Sequence, residues 1–246
     1  MKRMQFFVVA LVTALAMSCN FTEEITINED GSGKLSINFD GSELMEMAGD
    51  EMMKDNEKAV DSLISFKEIL EEKKDSIAQL SPEEQAKLKK LERFNMRMLM
   101  DPEAKQMKFD LFSEFKNVNE VNDAFNAFQS ASTLGPNANQ GNQPKVGGQD
   151  NATEVNYSFS NNKFSRTAKI VDQELFQQSI DSLQGAEMFL SGSTYTLKYH
   201  FPKRVKSASA EGATFSADGK TMIYAVKFLD LMKDPSLLDL EVELEN

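Results

Sequence analysis

Phe21-Thr22-Glu23-Glu24-Ile25-Thr26-Ile27-Asn28-Glu29-Asp30-Gly31-Ser32-Gly33-Lys34-Leu35-Ser36-Ile37-Asn38-Phe39 reads as a β-hairpin. Phe21, Ile25 and Ile27 alternate with polar residues, and so do Leu35, Ile37 and Phe39. That period of two marks strands with one face in a core and one in water. Asn28 to Gly33 supplies the residues that tolerate a tight turn.

The same grammar recurs downstream. Phe94, Met96, Met98 and Met100 alternate, Asp101-Pro102-Glu103 turns, and Met107, Phe109 and Leu111 alternate on the return. Val155, Tyr157 and Phe159 lead to a turn at Asn161-Asn162, and alternation resumes from Phe164 to Ile170. Tyr195, Leu197, Tyr199 and Phe201 form another run, ending at Pro202. Asp218-Gly219 is a strong hairpin turn leading into Met222, Tyr224 and Val226. Leu238, Leu240, Val242 and Leu244 close the series, alternating with acids. The spacing predicts an α+β fold: antiparallel sheet or sheets built from β-hairpins, with amphipathic helices packed on one face.

Helical spacing fills the gaps. A long helical stretch is expected from about Ser42, with Leu63, Phe66, Leu70, Ile77 and Leu80 on its apolar side. Ser81-Pro82-Glu83-Glu84 restarts a helix, with Ser81 as N-cap, Pro82 at the first position and Glu84 closing a capping box. Val118, Val121, Phe125 and Phe128 predict another amphipathic helix. Asp172 is expected to cap a helix carrying Phe176, Ile180 and Leu183, with Val171 stapled onto Phe176 and Gly185 as the stop. Residues 133–153, rich in Gly, Asn and Gln, have little to bury and are expected to form a disordered linker or loop. The expected organisation is a signal peptide over 1–18, an N-terminal part over 19–132 and a C-terminal α+β part over 154–246. The two parts form one domain or two.

Upstream of the first hairpin, Lys2 and Arg3 precede an uncharged run from Met4 to Ser18, which ends in Ala16-Met17-Ser18-Cys19. A basic start, an apolar core and small residues at the cut describe a secretory signal peptide. The run is shorter than the roughly 20 residues a helix needs to cross a bilayer. Cys19 is the chain's only cysteine, and its place at the cut resembles a bacterial lipobox. Cys19 is therefore the expected lipidation site, and the first strand then begins almost at once, holding the body close to the membrane. Glu23 and Glu24 resemble the acidic surface-export signal of Bacteroidota lipoproteins, or simply belong to the first strand.

Composition narrows the chemistry. The 246 residues carry 39 acidic and 27 basic side chains, a net charge of −12. That balance opposes nucleic acid and anionic head groups as partners. With Cys19 acylated, no disulfide forms. His200 is the only histidine, so a zinc site with several His or Cys ligands is excluded by count. His200 is out of phase with Tyr199 and Phe201, hence on the polar face, which argues against a catalytic base. Asp30-Gly31-Ser32-Gly33 lacks the carboxylates of a calcium loop, because Thr26 and Ile37 hold its end positions. Gly219-Lys220-Thr221 lacks the first glycine of a phosphate loop, since Thr214 stands there. Both read as turns. Met45, Met47, Met52, Met53, Met96, Met98, Met100 and Met107 suit an apolar groove or ordinary core packing. Asp61-Ser62-Leu63, Asp75-Ser76-Ile77 and Asp181-Ser182-Leu183 resemble the short Bacteroidota O-glycosylation motif, each on an expected helix.

Two stretches resemble the LppM-type domain of bacterial lipoproteins. One is Ile25-Thr26-Ile27-Asn28-Glu29-Asp30-Gly31-Ser32-Gly33. The other is Tyr199-His200-Phe201-Pro202-Lys203-Arg204-Val205-Lys206, followed by Asp218-Gly219-Lys220-Thr221 and the last alternating strand. The likeness covers the two ends of the chain, which differs by its inserted helical and low-complexity segments and by lacking a C-terminal membrane helix. The resemblance implies an α+β envelope module without assigned catalysis that binds lipids or envelope partners.

The expectation is a non-enzymatic, lipid-anchored outer-membrane protein with no cofactor and no metal. Its partners would be the membrane, through the lipid, and an apolar ligand or envelope protein. The alternatives are a structural or assembly component, or more distantly a hydrolase using paired carboxylates.

Overall fold

The computed structural model describes residues 20–43, 45, 59–122, 124, 152–183 and 187–246. The leader with Cys19, residues 133–151, Met47, Met52, Met53, Phe125, Phe128 and Gly185 lie outside them. Every alternating run becomes a strand. The strands are β1 (Asn20–Ile27), β2 (Gly33–Asp40), β3 (Val60–Ser65), β4 (Asn95–Asp101), β5 (Gln106–Phe115), β6 (Thr153–Ser160), β7 (Lys163–Ile170), β8 (Thr194–His200), β9 (Val205–Ala208), β10 (Thr214–Phe215), β11 (Thr221–Lys227) and β12 (Leu240–Leu244). The helices are α1 (Phe66–Glu72), α2 (Lys74–Ile77), α3 (Pro82–Leu91), α4 (Gln173–Ser182), α5 (Glu187–Leu190) and α6 (Phe228–Lys233), with 3-10 turns at Val118–Val121 and Pro235–Leu238.

An eight-stranded sheet runs in the order β10-β11-β8-β1-β2-β5-β4-β3, and a four-stranded sheet in the order β6-β7-β12-β9. Neighbours are antiparallel except β1 and β8, which pair in parallel. The α+β class holds, and the N- and C-terminal halves of the chain share the large sheet.

Turn chemistry fixes the registers. Asp30 accepts from the Ser32 amide at 3.0 Å, and Gly31 takes the left-handed φ of 81° that its turn requires. Asn161 and Asn162 have φ of 52° and 58°, the two left-handed residues that match the twist of β6 and β7. Asp172 caps α4 as expected, accepting from the Leu175 amide at 3.0 Å.

Two expectations need correction. The helical stretch expected from about Ser42 is helical at Ser42, Glu43 and Met45, but Val60 to Ser65 forms a strand, and helix resumes at Phe66. The β4–β5 hairpin offers this segment an open edge. β-Branched Val60 and Ile64 suit that edge, and Asp61 adds a bidentate cross-strand pair with Arg97 at 2.9 and 2.7 Å. Leu63, expected on the apolar side, is 69 % exposed, whereas Phe66 is buried. The second correction is at Val118 and Val121, which are buried in a single 3-10 turn rather than an α-helix. Asn122 then leaves the turn to bond β6: its side chain accepts from the Tyr157 amide at 2.8 Å and donates to Asn156 at 3.0 Å.

The core lies on one face of the large sheet, where Phe21, Ile25, Leu35, Ile37, Leu111, Tyr195, Leu197, Tyr199 and Met222 are buried. The small sheet covers part of that face: Phe164 of β7 meets the Tyr199 ring edge-on at 5.2 Å. α6 covers the start of β1, with Phe228 stacked on Phe21 at 4.5 Å. Phe66 of α1 and Leu91 of α3 belong to the same cluster.

Candidate functional site

Period two puts Glu23 on the same side of β1 as Phe21, Ile25 and Ile27. Its register partners are Ile37 on β2 and Leu197 on β8, so its carboxylate enters the core between aliphatic neighbours. A buried carboxylate is costly unless paired and hydrogen-bonded. Both needs are met. Tyr195 and Tyr199 sit two residues either side of Leu197, and their hydroxyls donate to the two carboxylate oxygens, Tyr195 at 2.8 Å. Arg166 reaches across from β7, its Nε and Nη2 each 3.4 Å from one oxygen, while Nη1 donates to the Leu238 carbonyl at 3.3 Å. Glu23 is 0 % and Arg166 3 % exposed.

Electrostatics act strongly on the arginine and the tyrosines of this group. Burial is the largest single influence on Arg166 and pulls it toward neutrality, but the Glu23 charge together with Tyr157, Tyr199 and Tyr195 outweighs it and keeps the guanidinium ionised well above its ordinary range. Burial, reinforced by the Glu23 charge, pushes Tyr195, Tyr199 and Tyr157 well above the ordinary phenol value. Tyr157 lies beneath the guanidinium, with its ring centroid 6.0 Å away, and its buried hydroxyl has no hydrogen-bond partner among the described residues. The cluster is therefore an ion pair with neutral hydroxyls around it. Its chemistry is cohesion between two sheets.

Glu23 and Arg166 escaped the sequence reading, which treated Glu23 as an export signal or a strand residue. The signal was phase. Glu23 keeps step with Phe21 and Ile25, and Arg166 keeps step with Phe164 and Ala168.

The opposite, wetter face of the large sheet carries His200, as its phase predicted. Its Nε2 lies 2.7 Å from Glu24 and its Nδ1 3.0 Å from the Thr221 hydroxyl. Lys198 joins Glu24 at 3.0 Å. Burial alone would raise Glu24, yet hydrogen bonds from His200 and Lys198 and their charges hold it below its ordinary value. Hydroxyl, imidazole and carboxylate thus stand in the order of a nucleophilic relay. However, the Thr221 amide is bound to the Ser216 hydroxyl at 2.9 Å, inside a closed turn, and is not free to stabilise an oxyanion. The group is a polar surface cluster.

The remaining sequence candidates separate. Cys19 lies outside the described residues, and the next residue, Asn20, opens β1. Met45, Met96 and Met222 are buried in the core, and Met98, Met100 and Met107 are half-buried along β4 and β5. Asp30 and Asp218 hold turns through Ser32 and Ser216. The motif serines part company: Ser62 lies on β3 with its hydroxyl buried and without a partner among the described residues, while Ser76 and Ser182 are exposed on helices. Among the described residues no three His, Cys, Asp or Glu side chains are grouped to hold a metal, and no helix is long and apolar enough to cross a membrane.

No family model matches this sequence, and no curated protein does. Among solved structures, the chain is similar to the folded domain of the Mycobacterium tuberculosis LppM protein, determined by NMR. The TM-score is 0.40 at 10 % identity, over 92 % of this chain and 89 % of that one. At that level the likeness assigns no residue and no activity to this chain.

Proposed function

We propose that this chain is a non-enzymatic, lipid-anchored protein of the bacterial cell envelope whose α+β body holds an envelope protein partner at the membrane. The observation that carries the reading is the junction of lipobox and fold. Ala16-Met17-Ser18-Cys19 ends one residue before β1, a strand inside the large sheet. Cleavage before Cys19 would leave the whole body intact and the acyl chains at its first residue. Buried acyl methylenes contribute about 0.8 kcal/mol each, enough for stable attachment with more than one chain.

A protein partner is favoured over an internal apolar ligand by the packing. Ile25, Leu35, Ile37, Leu111, Leu197, Tyr199 and Met222 are all 0 % exposed, so the protein's own side chains occupy the middle of the apolar face. Apolar side chains such as Leu63 stand outside it.

The test is intact-mass analysis of the membrane fraction from a bacterial expression host. The mature chain should begin at Cys19 and carry a diacylglyceryl thioether, and Cys19→Ser should move the protein out of the detergent phase. An unmodified Cys19, or unchanged partitioning of the variant, would sink the anchored reading. Native mass spectrometry of the body without its anchor separates the partner classes. Repeated recovery of bound lipid would replace the protein partner with an apolar ligand.

A further inference from the structure

We infer that one end of the two-sheet body, the rim around Asn20, is the surface that rests on the lipid bilayer. This rests on the acylation of Cys19 proposed above, and it specifies which part of the protein meets the membrane. Consecutive Cα atoms stand about 3.8 Å apart, and Asn20 is already paired on both sides, with Asp40 on β2 and Thr194 on β8. The acylated residue therefore has no tether. Whatever surrounds Asn20 is brought to head-group level with it.

The registers identify that rim. The row through Asn20 runs Lys227, Thr194, Asn20, Asp40, Lys108, Leu99, Asp61 across seven strands of the large sheet. One step further out lie Met107, Met100 and Val60. The small sheet ends at the same level. β7 runs against β1, because Phe164 touches Tyr199, the register partner of Ile25, while Arg166 touches Glu23. Continuing along β7 brings Ile170 and then Val171 to the Asn20 end.

The composition of this rim fits a bilayer surface. Val171, Ile170 and Val60 are 51 %, 40 % and 38 % exposed, apolar side chains that a head-group interface would cover. Lys227 and Lys169 are exposed at the same end, with stems long enough to lie along lipid while their ammonium groups meet phosphates. The opposite end includes the polar β1–β2 turn, Asn28 to Ser32. At about 3.3 Å per residue, that turn lies on the order of 25 Å from Asn20. Among the described residues the negative charge need not oppose contact, because Asp40 and Asp61 at this end are paired with Lys108 and Arg97, beside exposed lysines and aliphatic side chains.

The experiment uses the mature, lipidated chain in phosphatidylethanolamine–phosphatidylglycerol vesicles that contain a head-group nitroxide lipid. An environment-sensitive thiol probe is placed singly by Val171→Cys, Val60→Cys or Glu29→Cys. The expected result is a blue shift and severalfold stronger quenching at positions 171 and 60 than at 29. Equal quenching at all three, or strongest quenching at 29, overturns the orientation while leaving the anchor standing. An intact mass showing Cys19 without acyl chains removes both together, so the two failures are told apart in one preparation.

Discussion

Arg166 and Glu23 face each other across the interface between the two sheets, two guanidinium nitrogens each 3.4 Å from one carboxylate oxygen, and both side chains are almost wholly removed from water. Removing either partner leaves the other charge buried and alone. Glu23→Leu or Arg166→Met should each cost about 3–5 kcal/mol. The double variant should be far less damaging than the two costs summed, because apolar replacement of a whole buried pair is often neutral. Urea denaturation of the four proteins checks this. Additive single and double effects would mean that the pair is not coupled.

The three tyrosines around the pair should separate. Tyr195 and Tyr199 donate to an ionised carboxylate, so Tyr195→Phe and Tyr199→Phe should each cost about 1.5–3 kcal/mol. Tyr157→Phe removes a buried hydroxyl that has no partner among the described residues, and should fall within about 0.5 kcal/mol of the parent. The same denaturation curves decide. A Tyr157→Phe loss as large as the others would place a hidden partner on that hydroxyl.

How much of this was legible depended on how local each signal was. The turn at Asn161-Asn162 and the cap at Asp172 were readable because a few adjacent residues determine them. β3 was misread, since Leu63, Phe66 and Leu70 repeat at helical spacing and nothing local shows that Arg97 waits on β4 to pair Asp61. The parallel pairing of β1 with β8 joins residues more than 170 positions apart, as Tyr199 and Glu23 show, and no local pattern encodes it. Within the cluster, phase revealed that Glu23 and Arg166 point inward. Only the assembled sheets reveal that they point at each other.

Gly33 opens β2 where the chain leaves no room. A Cβ built there would lie 1.9 Å from the Thr26 carbonyl oxygen and 2.6 Å from the Phe115 ring. The Phe115 ring is buried and can yield only in part, and the Thr26 carbonyl belongs to the β1 backbone and cannot yield. Gly33→Ala should therefore destabilise by about 1–3 kcal/mol or more, as overpacking does. Gly31→Ala, in open space but at a φ of 81°, should be strained by its backbone instead. Adding Phe115→Leu should rescue part of the Gly33→Ala loss and none of the Gly31→Ala loss, measured by thermal unfolding. Equal rescue of both would rule out the proposed clash.

Stability should fall at both ends of the pH scale, for different reasons. Glu24 is held below its ordinary 4.5 despite its burial, because His200 and Lys198 bond its charged form, and the Arg97 hydrogen bond lowers Asp61 in the same direction. A carboxylate with a depressed folded pKa contributes stability above its unfolded value and loses it as pH falls through the folded one. The acid limb should therefore begin near pH 4.5 and continue downward, and Glu24→Gln should flatten it. The buried tyrosines have the opposite sign. Burial and the Glu23 charge raise Tyr195 and Tyr199 well above 10.0, so the unfolded chain ionises first and stability declines as pH rises past 10.0. Tyr195→Phe and Tyr199→Phe, though less stable at neutral pH, should each show a shallower alkaline limb in urea titrations run from pH 3 to 11. An alkaline limb of unchanged slope in both variants would mean that neither hydroxyl is held neutral by the core.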